Sequence, residues 1–268
     1  MESLERMASG SVQPKFMHYI YFLFLPTVVY QDSYPITIGV NWRKVLANLT
    51  ECIFCTFYTV FIFERFLRLS ADQDNKNYFT ISNAIYLISS AALPAGLLML
   101  LGFFAFLHSW SNLFGEILCF ADRLFYKDWW NSRTYSEYYR KWNVIVHDWL
   151  YTYVYVEVYR LTRLKPLASI FVFLLSSIIH EYILSVTFKF FYPVLFFQFG
   201  FFGVILFFIN IQNRIGNLFI WLSLMVGNGI NMVLYTIEWN ARKECPTRYP
   251  DDLLMDFLVP RTFYCKLD

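Results

Sequence analysis

Charged residues are scarce in this chain. Lysine, arginine, aspartate and glutamate make up 16% of its 268 residues, whereas a soluble domain carries roughly a quarter. Nor is one sign in excess. The formal net charge is +2, too weak and too scattered to serve nucleic acid, so no nucleic acid partner is expected. The opening MESLERMASGSVQPK lacks the apolar core and cleavage site of a secretory signal, and residues 1–16 read as a polar N-terminal segment. Insertion is expected to use internal segments instead. The five cysteines do not carry metal-ligand spacing. Cys52 and Cys55 do form a CxxC, but inside the apolar run ECIFCTFYTVFIF with no further ligand nearby. No metal site is expected.

Apolar and aromatic residues fill the space that charge leaves. The chain is 57% hydrophobic and 22% aromatic, with 30 Phe and 20 Tyr. A bulky soluble core could use such residues, but here they come in long blocks, which favours a bilayer. The fold class expected is an all-α polytopic membrane protein with about five spans, at 44–65, 84–107, 167–189, 192–212 and 218–239. Residues 18–30 are too short to cross and read as an interfacial or re-entrant element. Pro94 predicts a kink in the second span. Between 108 and 160 aromatics alternate with charges, as in amphipathic helices lying at the headgroup level.

Arg123, Lys127, Arg133, Arg140, Lys141, Arg160, Arg163 and Lys165 cluster between the second and third spans. The positive-inside rule puts that region in the cytosol. The polar tail 240–268 then faces the lumen, where Cys245 and Cys265 can form a disulfide.

Three groups of polar residues need explaining. In SIIHEYILS (177–185), His180 lies about 21 Å along a helix started by Pro166, well inside a core about 30 Å thick. Ser176 shares its face one turn earlier, while Glu181 points elsewhere and needs its own partner. An interhelical hydrogen bond, a transporter's proton path and a catalytic base all fit this pair. In WNVIVHDWLY, Asn143, His147 and Tyr151 follow i, i+4, i+8, so one helix would give them one polar face, with Trp142 and Trp149 as anchors. A surface helix whose polar face meets water fits equally. The block from Phe125 through Tyr126, Lys127, Asp128, Trp129 and Trp130 to Asn131 is either an aromatic-belt helix or the wall of a site for a large, partly apolar ligand.

FYKDWWNS (125–132), WNVIVHDW (142–149) and HEY (180–182), in this order, resemble the signature blocks of the membrane-bound O-acyltransferases. HYIYFLFLPTVVYQDSYP, FIFERF, FYPVLF and ECPTRYPDDLLMDFLVPRTFYC resemble the sterol branch of that family. The likeness runs from near residue 14 to the C-terminus, although members of that branch have further helices upstream, so the chain looks like their C-terminal portion. The resemblance implies a helical bundle of that family's type forming a single membrane domain. It implies an endoplasmic reticulum location, a homo-oligomer, and surrounding membrane lipids. It implies acyl transfer from a long-chain acyl-CoA, a co-substrate rather than a cofactor, to a sterol hydroxyl. His180 would then be the general base and Asn143 the group that polarises the acyl carbonyl. Phe125–Asn131, Trp142, His147 and Glu181 would line or support the substrate site. A diacylglycerol acyltransferase, or a lipid-binding or regulatory protein without activity, are the alternatives.

Overall fold

Where an apolar helix begins, its first backbone N–H groups lack partners, and in this chain asparagine side chains supply several of them. A computed structural model describes residues 16–31, 33–67 and 80–265. Residues 1–15, most of the expected polar N-terminal segment, lie outside it. After a short helix α1 (Phe16–Phe24), Asn41 caps α2 (Trp42–Ile62) by accepting from Arg43 N and Lys44 N. A π-helical turn, Phe63–Leu67, continues α2. Helix α3 runs Ile81–Ile117. Thr134 caps α4 (Tyr135–Trp142), and Asn143 caps α5, which continues through a π-helical stretch to residue 162. Helices α6 (Lys165–Phe188) and α7 (Val194–Phe208) follow. Asn213 then caps α8 (Arg214–Glu244), and Asp252 caps the short α9 (Leu253–Leu258).

The architecture is the expected all-helical, multi-spanning one, with three changes of boundary. The second span continues to Ile117, because the polar residues that read as interfacial are paired inside the protein. Ser109 donates to Glu51 on α2 at 2.8 Å, and buried Glu116 accepts from Asn41 N at 2.9 Å and pairs with Arg123. The fourth span is shorter than expected. Its 15 residues, Val194–Phe208, measure about 22 Å, so among the described residues four helices, not five, have the length and composition to cross. Pro193 precedes the first turn of α7, and the helix ends at Phe208, ahead of the polar segment that holds Asn213. Helix α8 reaches Glu244 rather than ending near 239.

Helices α3 and α8 form the longest contact of the bundle. Small residues allow it, since Gly229 lies where a Cβ would come within 3.0 Å of the Ala92 Cα and the Ile88 carbonyl. Helix α3 continues through Pro94, which is buried there. At the start of α8 the constraint is tighter. A Cβ on Gly216 would meet the Ile211 carbonyl at 2.0 Å and the Arg133 carbonyl at 2.3 Å, both backbone atoms. Beyond α8, Cys245 and Cys265 form a disulfide with Cα atoms 6.0 Å apart. Arg261 reinforces that closure by donating to the Arg242 and Cys245 carbonyls at the end of α8.

Gly216→Ala is expected to destabilise the protein by about 1–3 kcal/mol, the usual range for forced overpacking. Thermal unfolding in detergent measures this. Gly102→Ala serves as the control, because nothing lies within 4 Å of its added Cβ.

Candidate active site

The aromatic-charged block is not helical as expected. Residues 121–128 have no regular secondary structure, and only Trp129–Asn131 form a single 3-10 turn. The reason is a long-range pairing. Lys127 N donates to the Lys141 carbonyl at 2.9 Å and Val144 N donates to the Phe125 carbonyl at 2.9 Å, so this block and the segment around Asn143 run side by side. Lys141 adds ion pairs to Asp128 at 2.9 Å and to Glu137 at 2.8 Å. Trp129, buried, has its ring 4.7 Å from Trp142, 5.1 Å from Phe103 and 5.5 Å from Trp221. Asn217 on α8 fastens the turn from below by donating to the Trp130 and Ser132 carbonyls, both at 2.8 Å.

Asn143 therefore sits at a fixed break. The expected continuous helix from 142 to 151 stops here, because the Asn143 side chain caps α5 and its backbone is extended (φ −141°, ψ 94°). Its Oδ1 accepts from Val146 N at 3.1 Å. That assigns the amide, and Nδ2 makes no hydrogen bond among the described residues, so two donors remain available. His147 and Tyr151 do share one face. Their rings stack at 6.3 Å and 11°, and His147 Nδ1 lies 3.0 Å from the Asp148 carboxylate.

His180 lies on α6, which Pro166 begins in its first turn. Its Nδ1 is 2.7 Å from the Ser176 carbonyl, one turn earlier. A carbonyl can only accept, so Nδ1 carries a proton, and in the neutral tautomer Nε2 is the acceptor. The ring stacks on Phe199 of α7, 5.1 Å away and tilted by 12°. Glu181, about 100° around the helix, has partners of its own. Its buried carboxylate accepts from Phe196 N and from the Tyr235 hydroxyl, both at 3.0 Å. Helix α5, which Asn143 starts, packs along α6, although no hydrogen bond joins Asn143 to His180 among the described residues.

Of the residues singled out in the sequence, Tyr126, Lys127, Asp128, Trp129, Trp130, Trp142 and Asn143 are held together by this pairing and its aromatic cluster. Phe125 is buried in a second cluster, with Leu25 and Phe120, behind the Asn143 hinge. Lys127 and Asn131 are exposed. Three residues were missed. His108 Nδ1 lies 2.7 Å from the Tyr126 hydroxyl, and its signal was a histidine just past the expected end of the second span. Phe199 and Tyr235 carried none, being two aromatics among many.

Four long apolar helices among the described residues, joined through an extended, buried network of aromatic and polar side chains, define the class: a polytopic helical membrane protein. Residues 3–237 match the model of MBOAT, the membrane-bound O-acyltransferase family, and the chain belongs to that family. It is 41% identical to sterol O-acyltransferase 1 of Mus musculus over 271 residues, covering 99% of this chain and 50% of the relative. Against sterol O-acyltransferase 1 of Rattus norvegicus it is 43% identical over 258 residues, 94% of this chain and 47% of the relative. Against sterol O-acyltransferase 2 of Homo sapiens the identity is 41% over 265 residues, 97% of this chain and 50% of the relative. The chain thus spans about half the length of these curated relatives.

The ion pairs that brace the hinge titrate predictably. Hydrogen bonding to Lys141 holds the Asp128 and Glu137 carboxyls below their ordinary values, and those two carboxylates raise Lys141, Glu137 the more strongly. Groups with lowered folded pKa values stabilise above their unfolded pKa, near 4, and lose that contribution as pH falls through the folded value. The thermal midpoint of wild type should therefore exceed that of Lys141→Met at pH 6, and the gap should narrow on acidification below about pH 4. A gap independent of pH would contradict this account of the hinge.

Proposed function

We propose that the protein transfers a long-chain fatty acyl group from acyl-CoA to the 3-hydroxyl of a sterol, giving a steryl ester and CoA. The observation that carries this reading is His180, whose Nδ1 is committed to the Ser176 carbonyl in a chain of acyltransferase family. Nε2 removes the hydroxyl proton as the sterol oxygen attacks the thioester carbonyl carbon. The oxyanion that develops accepts from Asn143 Nδ2, the donor left free by the cap. Collapse expels the CoA thiolate, and the proton held on His180 Nε2 neutralises it.

The aromatic block from Tyr126 to Trp130, with Trp142 and His147, forms the wall along which the acyl chain and thioester approach. Exposed Lys127 lies where the anionic head of CoA would pass. Its basic neighbours support a cytosolic placement of this side, with the disulfide-closed tail in the lumen of the endoplasmic reticulum. Assembly as a homo-oligomer, as the resemblance implies, belongs to the same reading.

One observation favours a second reading. Around His180, Ile178, Ile179, Tyr182 and Ile183 are 41–67% exposed, so α6 presents an open apolar surface beside the Phe199 contact. A protein that binds lipid there, or regulates a relative through it, without catalysis, would present such a face.

Purified protein supplied with labelled oleoyl-CoA and cholesterol should form steryl ester. His180→Ala should reduce the rate by about 10²–10⁴-fold, and Asn143→Ala by about 10²–10³-fold. Wild-type activity in His180→Ala removes the base from this scheme. Label entering diacylglycerol instead of sterol would shift the acceptor, and no product from folded wild type would leave the lipid-binding reading.

A further inference from the structure

The adjacent His180 and Glu181 point in different directions, yet both meet the same helix, α7. The buried Glu181 carboxylate accepts from Phe196 N at 3.0 Å, an N–H in the first turn of α7 that the helix cannot satisfy itself. A carboxylate is electrostatically favoured at that end. Tyr235 of α8 donates to the same carboxylate. One turn along α7, a Cβ on Gly200 would stand 3.1 Å from Ser177 Oγ, and one on Gly203 would stand 3.8 Å from the Phe173 ring. Residues 173, 177 and 181 form one stripe of α6, and positions 196, 200 and 203 of α7 lie against it in antiparallel order. This contact fixes the height and rotation of α7.

Phe199 sits beside that contact and reaches around to His180, its ring 5.1 Å away and tilted by 12°. Ser176 holds the imidazole by one edge only, its carbonyl 2.7 Å and its hydroxyl 3.4 Å from the same Nδ1, and a ring held at one nitrogen can still swing about it. The Phe199 face removes that freedom. We propose that Glu181 and Phe199 are positioning residues for His180: Glu181 sets the first turn of α7, and α7 holds the Phe199 ring flat against the imidazole so that Nε2 points in one direction. This inference rests on the acyl-transfer reading for its catalytic consequence, but not for the geometry.

The test compares full-length Phe199→Leu, Phe199→Tyr, Glu181→Ala and Glu181→Gln with wild type, each checked for folding by size-exclusion and thermal unfolding. Two quantities are read. One is kcat and KM for oleoyl-CoA and cholesterol. The other is the rate of carbethoxylation of each histidine by diethyl pyrocarbonate, resolved by mass spectrometry, with His108 and His147 as internal standards. Phe199→Leu should lower kcat by about tenfold or more through misplacement of the base, leave both KM values unchanged, and alter the modification rate at His180 alone. Phe199→Tyr, which keeps the flat ring, should restore both. Glu181→Ala should reproduce the Leu phenotype, with Glu181→Gln, which still accepts from Phe196 N, lying nearer wild type. A wild-type modification rate at His180 in Phe199→Leu overturns the proposal, as does a kcat loss that Tyr fails to rescue. If Glu181→Ala does not fold, the Phe199 pair decides. If wild type makes no ester, the acyl-transfer reading fails on its own, while the modification rates still decide the positioning.

Discussion

A carboxylate inside an apolar bundle has no water to turn to, so it must find its donors on neighbouring helices. Glu181 meets that requirement by gathering Phe196 N from α7 and the Tyr235 hydroxyl from α8. The relative placement of three helices follows from this one buried group. Because α7 is clamped there and at Gly200 and Gly203, its Phe199 ring lies flat on His180. Glu181 thereby shapes the surroundings of His180, the base of the proposed reaction, through helix α7.

The same logic of obligatory pairing builds the other half of the site. A segment without regular secondary structure cannot satisfy its backbone alone, so residues 125–127 pair with 141–144. Trp129 then fills the space beneath, packed by Phe103, Trp142 and Trp221. Asn143 is left at the junction of α4 and α5 with its oxygen spent on the cap. The amide N–H groups become available because the cap has defined which way the side chain faces. In both halves, a local structural bond determines which polar atom is free.

Much of this was legible in the sequence, and the unread remainder has physical causes. Pro166 and the apolar run after it announced α6, and helical periodicity placed Ser176 on the face of His180. Periodicity could not say that the Ser176 carbonyl, rather than its hydroxyl, would hold the ring more closely. The i, i+4, i+8 pattern at 143–151 was read as one helix, although asparagine at position 143 is also a favoured cap. Residues 121–128 read as amphipathic helix because their pairing partner lies about fifteen residues away and only the fold supplies it. Helix α3 was expected to stop early because Ser109 and Glu116 look interfacial until Glu51 and Arg123 are seen beside them. Phe199 could not have been chosen from 30 phenylalanines.

The central claim is the proposal that His180 acts as the base through Nε2, which requires the ring proton to sit on Nδ1, at the Ser176 carbonyl. Nitrogen NMR of protein labelled with 15N-histidine, with the His180 signals assigned by their loss in His180→Gln, reads that state directly. At neutral pH the account predicts a protonated, pyrrole-type shift at Nδ1 and an unprotonated, pyridine-type shift at Nε2. The opposite tautomer, or an imidazolium protonated at both nitrogens, would contradict it.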